Sequence, residues 1–166
     1  ISAVPSQAWN NFVRPTGSLT IPTTVTNNGI SYNVIAVDDY AFYGCGNLTS
    51  VIVAEGVVSL GTGCFRECSG LTAISLPSTV DTIANYVFYN CSVLQSVAIG
   101  CVAPPRCAAN AFYSVNLSGA TLAVPCGSTM VYGSVSPWSG FGSIGEMGCD
   151  VTVVATANYE ERGSVE

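Results

Sequence analysis

The sequence predicts an α/β solenoid in which each unit of about 23 residues supplies one parallel strand and one short helical turn, with a cap at both ends. Four residue positions recur at this step. They are Phe42, Phe65 and Phe88; Cys45, Cys68 and Cys91; Leu48, Leu71 and Leu94; and Val51, Ile74 and Val97. A unit this small cannot bury its apolar edge alone, so stacking on its neighbours must supply the core.

The strand of the first unit is indicated by alternating apolar residues at Leu48, Val51 and Val53. The same pattern recurs within 71–76 and within 94–99. Stacking should therefore pair these strands into one parallel sheet, with the alternating apolar side chains in inward ladders.

The short helical turn of each unit is indicated by a phenylalanine and a cysteine three residues apart, such as Phe42 and Cys45. This spacing places both side chains on one face of a helical turn. We expect the phenylalanines to form a stacked inner column, which a fourth member, Phe112, joins after a step of 24 residues.

The units resemble the BspA-like leucine-rich repeats, whose motif runs Ile-Gly-x-x-Ala-Phe-x-x-Cys-x-x-Leu-x-x-Ile-x-Ile-Pro. Residues 35–100 carry this pattern, as in Ala-Phe-Tyr-Gly-Cys-Gly-Asn-Leu-Thr-Ser-Val-Ile-Val from Ala41. The resemblance implies an N-terminal cap and hairpin over 1–34, with the turn at Asn28 and Gly29. It also implies a C-terminal closing unit over 101–148.

The last segment, 149–166, alternates like a strand in Val-Thr-Val-Val-Ala-Thr-Ala from Val151. This stretch resembles the first strand of InlB B-repeat-like modules. The resemblance implies the truncated start of a following β module or a tail.

Charge is scarce in this chain, which has four arginines, no lysine and ten acidic residues in 166. The net charge of −6 argues against nucleic acid and anionic membranes as partners, because both require clustered basic residues. Polar residues and glycines interrupt every apolar run before the ~18 residues that a membrane-spanning helix needs. We expect no membrane insertion within this chain.

The residues that usually carry catalysis are absent or scattered. The sequence has no histidine, which removes Ser-His and Cys-His catalysis and histidine-ligated zinc. The sequence also contains no Cys-x-x-Cys pair, the spacing that would suggest a metal site. Glu55, Glu67 and Asp81 occupy unrelated repeat positions, whereas Asp39 precedes a turn and is expected to cap it. We therefore expect no enzyme activity, cofactor or metal.

The eight cysteines separate by repeat position. Those within the repeats are expected to stay reduced as small buried hydrophobic residues: Cys45, Cys64, Cys68 and Cys91. Cys101 and Cys126 each follow a predicted strand of the same sheet, so their Cα atoms should lie about 5 Å apart. This distance allows a disulfide, and we expect the two cysteines to form one. The pairing of Cys107 and Cys149 stays open.

Two surfaces could bind a partner. The outward positions of the predicted strands form a small, uncharged strip that could be a protein-contact face or merely a solvated sheet: Ser50, Ile52, Ala73, Ser75, Ser96 and Ala98. The tyrosines beside the phenylalanine column could line the convex side as an interface or simply cover the core: Tyr40, Tyr43, Tyr86, Tyr89 and Tyr113. Trp9 and Trp138 are expected to pack in the two caps.

These features suggest a non-enzymatic module of a secreted or bacterial cell-surface protein, with an extracellular protein or glycan as ligand. The resemblance implies the adhesion part, because members of the family are associated with bacterial surfaces and host matrix proteins. The cysteine-rich, charge-poor composition also favours an exported protein. Two alternatives are a passive spacer that presents neighbouring modules and an accessory domain of a glycan-processing protein.

Overall fold

A computed structural model describes residues 13–149 of the chain. Over this range the chain winds into a solenoid whose turns are mostly strand and tight turn, with little helix. The strands are β1 (Gly17–Ile21), β2 (Thr24–Asn27), β3 (Ile30–Asn33), β4 (Ala36–Val37), β5 (Leu48–Val53), β6 (Ser59–Leu60), β7 (Ala73–Leu76), β8 (Thr82–Ile83), β9 (Ser96–Ile99), β10 (Arg106–Cys107), β11 (Thr121–Pro125) and β12 (Ser143–Met147). The helices are α1 (Thr129–Gly133) and two 3₁₀ turns at Leu117–Gly119 and Trp138–Gly140.

The main side of the solenoid is a six-stranded parallel sheet, hereafter the wide sheet, in the order β1-β5-β7-β9-β11-β12. Val51 pairs with Ile74 and Ile74 with Val97, one unit at each step. These residues and the Leu48, Leu71 and Leu94 series are all buried, so the predicted inward ladders are confirmed. The wide sheet includes strands on both sides of residues 35–100.

A second parallel sheet of four two-residue strands lies where the chain returns, in the order β4-β6-β8-β10. Its inward residues Val37, Leu60 and Ile83 are buried and close the core from this side. We call it the narrow sheet.

The third side consists of turns that also bond from unit to unit. The amide of Phe42 donates to the carbonyl of Cys64 at 2.7 Å, and the amide of Phe65 donates to that of Val87 at 3.1 Å. The rings of the phenylalanine column stack with centroid separations of 5.3, 6.0 and 4.9 Å. Phe65, Phe88 and Phe112 are buried and Phe42 is half-buried, so the predicted column is confirmed.

The predicted helical turn is a pair of tight turns rather than a helix, because left-handed residues interrupt it. Tyr40 and Gly44, on either side of Phe42, have φ angles of 55° and 69°. The same two positions recur as Gly63 and Glu67 with φ angles of 60° and 61°. Tyr40 shows that this position tolerates a side chain at positive φ, but at Gly63 a Cβ atom would lie 2.7 Å from the Tyr40 ring, so the close approach of that ring favours glycine there.

The two ends are irregular, as predicted. The hairpin of β2 and β3 turns at Asn28 and Gly29, with φ angles of 49° and 76°, as a type I′ turn requires. The strand before the hairpin, β1, is not part of it and pairs with β5 in the wide sheet. At the other end Trp138 is fully buried against Phe112, which confirms its place in the cap.

Two sequence-based expectations fall outside the described residues: the packing of Trp9, and the module or tail predicted over 149–166, of which only Cys149 is described. Among the residues that the structure describes, no helix has the length and apolar character needed to cross a membrane.

Candidate recognition surface

The six residues of the predicted strip lie side by side on the outer surface of the wide sheet. One row runs from Ser50 through Ala73 to Ser96. The neighbouring row runs from Ile52 through Ser75 to Ala98. Because parallel strands lie about 4.8 Å apart, each row is a regular line of small side chains across three units. Ile52 is the largest of them and is 48% exposed.

The strand register extends both rows across the whole sheet, which the sequence-based strip did not include. The added residues are Ser18 and Thr20 on β1, Thr121 and Ala123 on β11, and Ser143 and Gly145 on β12. The alternation of Ser18-Leu-Thr-Ile and Thr121-Leu-Ala-Val was the signal that could have found them. We call the twelve residues of both rows the sheet face. None carries a charge, so the sheet face can contact a partner without stripping water from an ion.

The three acidic residues considered as possible catalytic groups, Glu55, Glu67 and Asp81, each bond to different partners and not to one another. Glu55 accepts hydrogen bonds from the amide and the hydroxyl of Ser78 at 3.0 and 2.9 Å, and the amide bond holds the pKa of this carboxyl below its usual range. Asp81 accepts from the Arg106 guanidinium, which lowers the pKa of Asp81. No pocket is present within residues 13–149.

Asp39 satisfies a backbone donor, but not the one that the sequence suggested. Its carboxylate accepts from the amide of Thr62 at 2.6 Å, one unit further along the solenoid. The expected cap of its own turn is wrong, because that turn is not helical and its Tyr40 amide already donates to the Thr62 carbonyl. Asp39 therefore stabilises the stacking of two units.

On the side of the solenoid formed by the turns, hereafter the turn side, the tyrosine rings contact one another and an arginine. This arginine, Arg66, occupies the repeat position of Tyr43 and Tyr89. The guanidinium of Arg66 lies 4.5 Å from the ring centre of Tyr89 and 5.9 Å from that of Tyr43. Tyr89 stacks on Tyr113 at 5.7 Å with nearly parallel rings. The Tyr43 hydroxyl donates to Glu67 at 3.0 Å, and this bond raises the pKa of Tyr43. These contacts hold the rings of Tyr43 and Tyr89 against their neighbours, whereas Tyr113 stays 61% exposed.

The disulfide predicted between Cys101 and Cys126 is wrong. Cys126 bonds to Cys149, with a Cα separation of 5.2 Å, and Cys101 is a free thiol. Cys101 is buried, whereas Cys126 is exposed and bonded toward the following strand, β12. The Cys101 thiol instead lies 3.1 Å from the Val80 carbonyl. The sequence did contain a signal, since Cys126 and Cys149 are separated by 23 residues, the step of the repeat.

The four cysteines within the repeats are free and buried, as predicted. The thiols of Cys68 and Cys91 donate to the carbonyls of Phe42 and Phe65, each at 3.2 Å. Burial raises the pKa of the Cys45 thiol to about 11 and that of Cys91 to about 12. It also raises the pKa of Cys107, outside the repeats, to about 12.

These raised pKa values predict unreactive thiols and an alkaline loss of stability. At pH 8 the native chain should leave its six free cysteines unalkylated by iodoacetamide, whereas the denatured chain should expose all six to it. Above the unfolded thiol pKa of about 8.5 the unfolded chain loses protons first, so the free energy of unfolding should fall as the pH rises toward 11. Mass spectrometry after alkylation checks the first expectation, and urea titrations at pH 8 and 10 check the second. Rapid alkylation of native Cys91 would contradict the burial.

Comparison with known proteins agrees with the repeat pattern. Residues 17–129 match a family model described as a BspA type leucine-rich repeat region, in six copies. A search of curated proteins found no match.

Solved structures show the same fold. A leucine-rich repeat protein from Bacteroides ovatus is 21% identical, with a TM-score of 0.54, and the match covers 82% of this chain and 35% of that one. A leucine-rich cell surface protein from Faecalibacterium prausnitzii is 24% identical, with a TM-score of 0.51, covering 81% of this chain and 36% of that one. The chain thus spans about a third of the length of these two proteins.

Proposed function

Because the chain belongs to the BspA-type leucine-rich repeat family, we propose that it is a non-enzymatic recognition module that binds an extracellular protein through the sheet face. The observation that carries this proposal is the sheet face itself, two straight rows of small uncharged side chains across six strands. Such a surface suits a flat or extended protein segment better than a small molecule, which needs a concave site.

The charge of the molecule supports a protein ligand over a polyanion. A net charge of −6 repels nucleic acid and anionic membranes at long range. On the sheet face itself, the hydroxyls of Ser50 and Ser18 bond to each other at 2.9 Å and can exchange this bond for one to a ligand. Methyl groups such as those of Ala73 and Ala98 add apolar contact area.

An extracellular or bacterial cell-surface location is part of the same proposal. The disulfide between Cys126 and Cys149 is of a kind that persists in oxidising compartments. The Faecalibacterium prausnitzii protein of similar fold is described as a cell surface protein. At such a location the recognised protein would belong to the surroundings of the cell, and binding it would serve adhesion.

A pull-down from extracellular matrix and mucin, with the isolated chain as bait, tests this function. Saturable capture of a protein that survives glycosidase treatment of the sample and is lost after protease treatment is the expected result. Capture that glycosidase abolishes would replace the proposal by a glycan-binding accessory role. Absence of any saturable capture would leave the chain as a passive spacer and overturn the proposal.

A further inference from the structure

Two cysteines and a carboxylate converge at the C-terminal end of the wide sheet. Cys126 follows β11, Cys149 follows β12, and Glu146 lies within β12. Their sulfur and carboxylate oxygen atoms all lie within 4.8 Å of one another, and all three residues are exposed. Neither the repeat pattern nor the proposed recognition of a protein accounts for Glu146 at this place.

Glu146 is held in a fixed orientation beside the two sulfur atoms. Its Oε1 atom accepts hydrogen bonds from the amide of Gly127 at 3.0 Å and the hydroxyl of Thr129 at 3.2 Å. Its Oε2 atom lies 3.5 Å from Sγ of Cys126 and 3.1 Å from Sγ of Cys149. Disulfide sulfurs carry no hydrogen, so in the oxidised chain neither sulfur can donate to Oε2.

We propose that reduction of this disulfide converts Cys126, Cys149 and Glu146 into a three-ligand site for a thiophilic divalent cation such as Zn²⁺. A dithiol reductant supplies two electrons and two protons to the Cys126–Cys149 bond and is itself oxidised to a disulfide. The cation then displaces the two thiol protons and binds both thiolates and Oε2. Because the site is exposed, water can complete the tetrahedral coordination.

The spacing of the three ligand atoms suits this coordination. With Zn–S bonds of about 2.3 Å and a Zn–O bond of about 2.1 Å, a tetrahedral site needs sulfur–oxygen separations of about 3.6 Å. The observed separations of 3.5 and 3.1 Å are close to this value. Only the two sulfur atoms must move apart, to about 3.8 Å, once their bond is broken.

The backbone that carries the ligands does not depend on the disulfide alone. β11 and β12 pair over five residues, from Thr121 with Ser143 to Pro125 with Met147. The two hydrogen bonds to Oε1 act as the outer contacts that orient a metal ligand. Reduction therefore leaves a framework with Glu146 in position.

Titration of the full chain with Cd²⁺ and Zn²⁺ tests this proposal. In tris(carboxyethyl)phosphine, we expect one Cd²⁺ per chain with the ultraviolet charge-transfer band of cadmium thiolate, displaced by Zn²⁺, and no such band for the oxidised chain. Bound Zn²⁺ should also protect Cys126 and Cys149 from alkylation by iodoacetamide. Mass spectrometry measures this protection, and the result does not depend on the titration.

Variants separate this site from adventitious binding. Glu146→Gln should weaken Zn²⁺ binding at least about tenfold. Glu55→Gln is the matched control, because Glu55 is likewise exposed and bonded to an amide and a hydroxyl, and it should leave the affinity unchanged. A reduced chain that shows no saturable binding would overturn the proposal, and so would equal binding by the Cys126→Ala/Cys149→Ala variant or by Glu146→Gln.

Discussion

Replacing Phe65 by alanine is expected to lower the free energy of unfolding by about 3–5 kcal/mol. Phe65 is fully buried at the centre of the phenylalanine column, and its ring stacks on Phe42 at 5.3 Å and on Phe88 at 6.0 Å. The alanine variant loses the buried ring and leaves a cavity between two units. A loss of this size is a large part of the stability of an ordinary domain. Urea denaturation followed by circular dichroism measures it.

Tyr113→Ala is the matched control for this result. Tyr113 is also an aromatic residue of the turns and stacks on Tyr89, but it is 61% exposed. We expect the Tyr113→Ala substitution to lower the free energy of unfolding by less than about 1.5 kcal/mol. A Phe65→Ala variant no less stable than Tyr113→Ala would contradict the assignment of Phe65 to the core.

Removing the Cys126–Cys149 disulfide is expected to cost about 3 kcal/mol on the chain-entropy model. The bond closes a loop with a sequence separation of 23 residues and ties the edge strand β12 to β11. The double variant Cys126→Ala/Cys149→Ala frees this loop in the unfolded chain. Its midpoint of urea denaturation should therefore fall.

The reductant itself provides the control for this effect. Tris(carboxyethyl)phosphine, in metal-free buffer, should lower the denaturation midpoint of the wild-type chain and leave that of the double variant unchanged. If the reductant also lowered the midpoint of the double variant, a different cysteine pair would be responsible. An unaffected wild-type chain would show that the bond adds no stability.

The sequence predicted the parts of this fold that repeat with a large side chain. The 23-residue step of Phe42, Leu48 and Val51 specifies the ladders, because a residue that recurs at every turn of a solenoid must face the same environment. The outward strip followed from the same alternation, since neighbouring residues of a strand point to opposite faces. Its binding role stays a proposal.

Other parts of the fold could not be predicted, for physical reasons that differ. The narrow sheet has strands of two residues, too short for any alternation to be recognised. The left-handed turns are formed by residues such as Tyr40 and Glu67, and these residue types rarely adopt a positive φ, so the sequence gives no sign of it. The disulfide was assigned from equivalent strand ends alone, and that equivalence does not show that Cys126 pairs with the next strand while the Cys101 thiol lies against the Val80 carbonyl.

The role of the sheet face is tested most directly by measuring how tightly one captured protein binds to each of three chains. The three chains are the wild type, Ile52→Lys and Val58→Lys, and the dissociation constant is measured for each. Ile52 lies on the sheet face and Val58 lies beside β6 of the narrow sheet, and both are exposed β-branched residues, at 48% and 45%. Recognition through the sheet face predicts that Ile52→Lys weakens binding at least about tenfold, or about 1.4 kcal/mol, with Val58→Lys within about twofold of wild type. Equal affinities of all three chains, or a loss confined to Val58→Lys, would contradict it.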